Sequence, residues 1–271
     1  MSAPRNARSR GSQRYYSWRS ENYWSVTTIL QAVPKPALIN WAKKFTAEYA
    51  VDNFDKLGAL VEPDADGTVD RQAAVDWLKG AAYRDRDRKA DIGSQIHAAT
   101  EAYVLGKPFP AWPKTIAPQM RAFERFLADY EPEFQMTEAS VYNKTERYAG
   151  TLDGIVAIDG RVLVGDTKSG KAIYPEVALQ LAAYRFAEFV GAPDGSENPM
   201  PETDGAFALH LPAQGGSYDV VDVKADEEVF RYFLYFRESF RWMEQASKTV
   251  LLGPLQVGGS EEERAFREAM A

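Results

Sequence analysis

The stretch YAGTLDGIVAIDGRVLVGDTKSG, residues 148–170, decides the fold of this chain. Residues 148–158 alternate in character and residues 161–167 are rich in valine, which is typical of two β-strands. The dipeptide Asp159-Gly160 stands between them, and two-residue hairpin turns favour this pair because both central positions adopt positive φ angles. The stretch therefore predicts an antiparallel hairpin.

This hairpin places three charged side chains close to one another. Asp153 and Asp166 lie at similar distances on either side of the turn, so they meet across the ladder. Lys168 follows Asp166 by two residues and faces the same side of its strand. The sequence thus predicts a cluster of two carboxylates and one ammonium group.

Such a cluster suits metal-assisted hydrolysis of a phosphate ester. Carboxylate oxygens bind Mg²⁺ or Mn²⁺, and the carbonyl of Thr167 is a further candidate ligand. A bound metal lowers the pKa of water and neutralises charge on the phosphate, while Lys168 orients the water or stabilises the transition state. The alternative is an exposed salt bridge on a strand, because the triplet Asp-x-Lys is common by chance.

Two predicted helices add polar residues to this cluster. Gly93-Ser-Gln-Ile-His97 lies on a predicted helix over 83–105, and Glu101 falls one turn later on the same face as His97. Histidine is a competent Mn²⁺ ligand or phosphate partner. The alternative is a helix histidine held by a neighbouring acid.

The second helix is predicted over 175–190 and carries Gln180 and Tyr184 one turn apart. Glutamine can bond a phosphate or base, and tyrosine can stack on a base or bond a phosphate. A half-buried amphipathic helix is the alternative explanation for Tyr184. His210 falls in a predicted strand without partners, and we assign it no role.

The order of predicted elements indicates an α/β fold. Helices and a short strand over 140–143 precede the hairpin. The helix over 175–190, a loop over 191–205, two strands and a long helix over 226–251 follow it. This pattern predicts a mixed central sheet flanked by helices, plus an N-terminal helical lobe. Four segments are expected: a basic, disordered tail over 1–20, the helical lobe with the His97 helix over 21–135, the core over 136–252, and an acidic tail over 253–271.

Composition narrows the classes of protein. The chain has 271 residues, a net charge of −7 and no cysteine, which excludes disulfides, thiolate zinc sites, iron–sulfur clusters and a cysteine nucleophile. The negative charge disfavours a protein that coats nucleic acid, although a local basic path remains compatible. Without a long apolar run or a secretory signal, we expect a cytoplasmic protein with no membrane partner.

The four short motifs together resemble the RecB-like branch of the PD-(D/E)XK nucleases, a group that includes CRISPR-associated exonucleases. The family pattern GxxxH, GxxD, (D/E)xK and QxxxY corresponds in order to Gly93…His97, Gly150…Asp153, Asp166…Lys168 and Gln180…Tyr184, so the resemblance covers roughly residues 90–190. It implies a restriction-endonuclease-like core. It further implies that His97, Asp153, Asp166 and the Thr167 carbonyl bind metal, that Lys168 is catalytic together with the two aspartates, and that Gln180 and Tyr184 contact DNA.

The sequence departs from some relatives, which hold an iron–sulfur cluster on four cysteines. We therefore expect Mg²⁺ or Mn²⁺ and no such cluster. Helix geometry, not the family pattern, places Glu101 behind His97.

The resemblance implies an exonuclease that acts on DNA ends in recombination or end processing, in a bacterial or phage-infected cell. A recombination protein or helicase is a possible partner. The alternatives are an endonuclease of the same fold and a non-catalytic DNA-binding or assembly subunit.

Overall fold

A computed structural model describes residues 7–10, 13–63, 65, 67–107, 112–253 and 258–270. Within these ranges the chain forms ten strands and nine α-helices. The strands are β1 (Ala7–Arg10), β2 (Gln13–Trp18), β3 (Glu21–Ser25), β4 (Glu133–Asn143), β5 (Tyr148–Ile158), β6 (Arg161–Lys168), β7 (Phe189–Gly191), β8 (Glu197–Pro199), β9 (Gly205–His210) and β10 (Asp219–Val223). The helices are α1 (Val26–Ile29), α2 (Pro36–Asp52), α3 (Phe54–Leu60), α4 (Arg71–Lys79), α5 (Ala81–Val104), α6 (Ala117–Tyr130), α7 (Glu176–Arg185), α8 (Glu227–Glu244) and α9 (Glu261–Ala269).

The predicted hairpin is the centre of the sheet. Strands β5 and β6 pair antiparallel, with Ile158 opposite Arg161. Asp159 and Gly160 have φ angles of 49° and 75°, as a two-residue hairpin turn of this hand requires. The hairpin predicted from the sequence is therefore confirmed.

The sheet is mixed and forks at β5. Strand β4 pairs antiparallel along one edge of β5. The other edge is shared: β3 pairs parallel with residues 148–149, and β6 pairs antiparallel with residues 154–158. Strand β9 then lies parallel to β6, and β10 antiparallel to β9. Residues 150–153 have no ladder partner on the shared edge, which opens a gap between β3 and β6.

Helices cover both faces of the sheet. On one face, α7 and α8 pack over Leu152 and Val164 in one apolar cluster. On the other face, α5 and α6 pack over Val156 and Leu163 in a second cluster. This arrangement confirms the predicted α/β class with a mixed sheet between helices. No helix in the described residues is long and apolar enough to cross a membrane.

The prediction of a disordered tail over residues 1–20 is wrong for the residues that the structure describes there. Strands β1 and β2 extend the sheet beyond β3. Tyr16 and Trp18 are buried and pack against Tyr142. The arginines of this segment predicted disorder, but its aromatic residues alternate along β2 and are buried. Burial of these large rings stabilises an ordered strand. Residues 1–6 and 11–12 of the predicted tail lie outside the described residues.

The helix predicted over 175–190 and the loop predicted after it also need correction. Helix α7 ends at Arg185, and Phe189 and Val190 instead form β7 on the free edge of β4. Strand β8 pairs with β7 inside the predicted loop. Both short strands form because Phe189 and Val190 are buried against the sheet, a tertiary effect that helical periodicity does not reveal.

Candidate active site

The polar residues predicted from the four motifs meet at the fork of the sheet. The β5–β6 ladder ends at the pair Gly154 and Gly165, so Asp153 and Asp166 follow where the two strands separate. The backbone N–H of Thr167 points across this opening and donates a hydrogen bond to Asp153 Oδ2 at 2.7 Å. Because the N–H and C=O of one strand residue point to the same edge, the Thr167 carbonyl also faces the fork.

Asp153 connects the sheet to α5. His97 Nδ1 lies 3.2 Å from Asp153 Oδ2, so the helix histidine and the strand carboxylate meet as predicted. Burial raises the pKa of Asp153 to about 6, with Asp166 adding to the rise and His97 opposing it. At neutral pH the carboxylate is ionised yet poorly solvated, a state that a cation would stabilise.

Asp166, Lys168 and Gln180 form a second group at the fork. Lys168 Nζ lies 2.6 Å from Asp166 Oδ2, and Gln180 Nε2 donates to Asp166 Oδ1 at 2.9 Å. Gln180 Oε1 accepts from Lys168 Nζ at 3.4 Å. Asp166 Oδ2 is buried and accepts no bond of hydrogen-bond geometry from the described residues, because the lysine approaches as an ion pair.

Lys168 is a cation at neutral pH. Burial lowers the pKa of its ammonium group, but the carboxylates of Asp166, Asp153 and Glu176 together raise it, and the net direction of the pKa is upward. A protonated lysine donates hydrogen bonds and stabilises negative charge; it does not accept a proton. A protonated Lys168 can therefore stabilise negative charge that lies within its reach.

Glu138 is a site residue that the sequence patterns missed. It lies on β4 between the pairs Thr137–Gly154 and Ala139–Leu152, which places it opposite Asp153. Its φ of 49° is in the left-handed region, a conformation rare for a strand glutamate and common at functional sites. Ligand atoms of His97, Glu138 and Asp153 all lie within 4.8 Å of one another.

The pKa of Glu138 reflects this environment. Burial is the largest cause, and together with the charges of Asp153, Glu101 and Asp166 it raises the pKa of Glu138 to about 8. The sequence contained one usable indication: β4 begins at Glu133, whereas only residues 140–143 were predicted as a strand. Extending that strand back and setting it in register with β5 would have placed Glu138 beside Asp153.

Tyr184 is buried and is not exposed to solvent. Its side chain is 2% exposed, and a Cβ added to Gly150 would lie 2.4 Å from its ring. The ring therefore occupies the space above Gly150 and offers no face for base stacking. Its hydroxyl lies 3.4 Å from Gln180 Nε2, so Tyr184 supports Gln180, which in turn holds Asp166 and Lys168.

A small cavity of about 40 Å³ joins these groups. His97, Glu101, Glu138 and Asp153 line its polar side, and phenylalanines from α6, β4 and β9 line its apolar side. Glu101 also lies 3.6 Å from Lys107. Glu101 is thus near the site through the cavity and through charge, as helix geometry predicted, without a direct bond to His97 among its described contacts.

His210 has partners, contrary to the prediction. Its Nε2 lies 2.9 Å from the Gly170 carbonyl, and its Nδ1 lies 3.3 Å from Asp219 Oδ2. The Gly170 bond joins the loop after β6 to β9, because β6 and β9 are parallel neighbours with Lys168 beside His210. His210 therefore holds the loop that follows Lys168.

The donor set fits a hard divalent cation. It combines carboxylates with one imidazole, the ligand types that Mg²⁺ and Mn²⁺ accept. The Asp166 carboxylate, which is ion-paired with Lys168, and the close set of His97, Glu138 and Asp153 lie on the two sides of the fork. Of the predicted ligands, His97 and Asp153 belong to that close set, whereas Asp166 is held by Lys168 and Gln180.

Comparison of this chain with known proteins does not identify its family. No family model matches the chain, and no curated protein matches it. Among solved structures, the chain is similar to one titled "Crystal structure of SSO0001", with 12% sequence identity over 60% of this chain and 71% of that chain, at a TM-score of 0.28. A likeness at this TM-score carries no argument about function.

Proposed function

We propose that this protein is a metal-dependent deoxyribonuclease that hydrolyses phosphodiester bonds, and specifically an exonuclease acting on DNA ends. The observation that carries the proposal is the convergence of Asp153, Asp166 and Lys168 at the fork of the sheet. The hairpin supplies the two carboxylates, and the helices on the two faces supply His97 and Gln180. Elements distant in sequence thus complete one polar site beside an apolar cavity wall.

The metal would be held by His97, Glu138 and Asp153, with Asp166 and the Thr167 carbonyl facing the same opening. A bound Mg²⁺ or Mn²⁺ supplies Lewis acidity toward the phosphate and lowers the pKa of water at the site. Asp153 needs no proton loss near neutral pH, since its pKa is about 6. Glu138, with a pKa of about 8, must release its proton to become an anionic ligand.

The remaining polar residues serve orientation and charge. Lys168, held between Asp166 and Gln180, donates to a phosphate oxygen as negative charge grows there. Gln180 keeps both partners in place, and Tyr184 packs over Gly150 to support Gln180. The apolar cavity wall limits water and strengthens these electrostatic interactions.

The test compares cleavage of linear single-stranded DNA with cleavage of a closed single-stranded circle, with Mg²⁺ or Mn²⁺ present. Lys168→Ala should abolish cleavage, whereas Lys114→Ala, at an exposed lysine before α6, should leave it unchanged. Loss of the linear strand alone supports an exonuclease. Cutting of the circle identifies an endonuclease, and no cutting of either DNA rejects catalysis by the isolated chain.

A further inference from the structure

The helical lobe carries a row of half-exposed aromatic rings away from the sheet. Helix α2 has no fully buried residue along its whole length, although it is rich in large side chains. The row consists of neighbouring rings with centroids 4.9 to 6.1 Å apart, namely Trp41, Phe45 and Tyr49 of α2 and Trp77 of α4. We call these four residues the aromatic row.

Cations lie over the faces of this row. They are Lys89 over Trp41 at 5.4 Å, Arg84 over Tyr49 at 5.8 Å and Lys56 over Trp77 at 5.3 Å. Near Lys89, the buried carboxylate of Asp85 lies 2.6 Å from Lys89 and 2.5 Å from Arg88. Two cations therefore share one acid, so this trio of side chains has one positive charge in excess despite the negative charge of the whole chain.

The Trp41 end of the aromatic row is the end nearer the active site. Lys35, at the start of α2, lies 3.7 Å from Glu176 at the start of α7, one turn before Gln180. Helix α5 packs against α2 and carries both Lys89 and His97, about 12 Å apart along the helix axis. A strand of nucleic acid that leaves the fork along α5 therefore meets Trp41 first and Trp77 last.

Rings interleaved with cations suit one class of ligand. Single-stranded nucleic acid stacks its bases on aromatic faces and places its phosphates near lysine and arginine. Duplex DNA is a poor match, because its bases already stack on one another and are not free to stack on the rings of α2 and α4.

We propose that the aromatic row binds the single strand of DNA next to the scissile end, an inference that rests on the proposed DNA substrate. Bases stack on the ring faces that the neighbouring rings leave open, and the cations move from ring faces to phosphates when bases stack. The row would hold the uncleaved part of the strand and thereby feed successive phosphates to the fork.

The test measures binding without catalysis. A fluorescein-labelled oligothymidylate of about twelve nucleotides is titrated in EDTA and followed by anisotropy. Trp41→Leu, which keeps an apolar side chain but removes the ring, should weaken binding at least about five-fold, roughly the loss of one base stack. Trp41→Phe, which restores a ring, should bind much as the wild type does.

Two controls separate stacking from other causes. Trp242→Leu, at an exposed tryptophan of α8, should leave binding unchanged. An abasic oligonucleotide of equal length carries the same charge without bases, and Trp41→Leu should bind it as the wild type does. An equal loss for both oligonucleotides would show damage to the lobe, and no loss for either would show binding by charge alone; either result would overturn the proposal.

This experiment is independent of the proposed reaction. Weaker binding of the Leu variant, together with no DNA cleavage by the wild type, would support the aromatic row while rejecting the nuclease. Unchanged binding of the Leu variant, together with cleavage that requires Lys168, would reject the row and keep the nuclease.

Discussion

Replacing Glu138 with glutamine should stabilise the metal-free protein at neutral pH. Glutamine has nearly the same shape as a protonated glutamate but cannot ionise. In the folded protein the pKa of Glu138 is raised from 4.5 to about 8, chiefly by burial. Glu138 ionises more easily in the unfolded chain than in the folded protein. The free energy of unfolding of the wild-type protein therefore falls as the pH rises from 4.5 to about 8.

The size of the effect follows from that difference in pKa. Each unit of difference corresponds to about 1.4 kcal/mol, and at pH 7 the unfolded group is ionised while most of the folded group is not. Allowing for the partial exposure of the side chain, we expect Glu138→Gln to add about 2 to 3 kcal/mol at pH 7. For a chain of this size that is a rise in Tm of roughly 5 to 10 °C, which shrinks toward zero near pH 4.5.

The assay is a series of thermal melts in EDTA from pH 5 to pH 8. Between pH 6 and pH 8 the stability difference between variant and wild type should widen by up to about 2.5 kcal/mol, because Asp153 has already titrated near pH 6. Glu133→Gln, at an exposed position of the same strand, should follow the wild type. Parallel curves for wild type and Glu138→Gln over that window would refute the reasoning.

Three further predictions concern the same site. With Mn²⁺ at pH 8 the wild-type Tm should rise and return after chelation, whereas Asp153→Asn should show little shift, since one of the close ligands loses its charge; an equal shift in the variant would place the metal elsewhere. Gly150→Ala should cost about 1 to 3 kcal/mol in urea unfolding because its Cβ meets the buried ring of Tyr184. Gly93→Ala, whose Cβ has only an ordinary contact, should instead add about 0.5 to 1 kcal/mol in its helix. Gln180→Leu should lower kcat about 10- to 100-fold, as loss of a supporting bond does at such sites, and an unchanged kcat would contradict its positioning role.

Glu138 lowers the stability of the metal-free folded protein in two ways. A left-handed φ and a raised pKa both disfavour the folded protein at Glu138. Active sites commonly store such strain. A cation that takes the ionised carboxylate would recover the stability, which links binding of metal to folding.

Several parts of the fold could be predicted from local sequence. The hairpin depends on the pair Asp159-Gly160 and on strand alternation beside it, and both act over a few residues. The same register placed Asp153 opposite Asp166 and Lys168 beside Asp166, and the structure brings all three together. Spacing along one helix likewise placed Gln180 and Tyr184 on neighbouring turns.

Other parts depended on partners far away in sequence. Strand β2 is ordered because Tyr16 and Trp18 are buried against Tyr142. Strand β7 forms because it pairs with the edge of β4. Neither partner is visible in the local pattern. Arginine content and helical spacing therefore predicted a tail and a longer helix instead.

The sequence by itself determined the hairpin, the α/β class and the residue types of the candidate site, because turn preference and the two-residue period of a strand are local properties. Only the tertiary structure decided what surrounds those residues. The fork at β5 opens because β3 and β6 share one edge of that strand. Glu138 joins the site across the sheet, and Tyr184 turns inward onto Gly150, since long-range packing sets burial and charge.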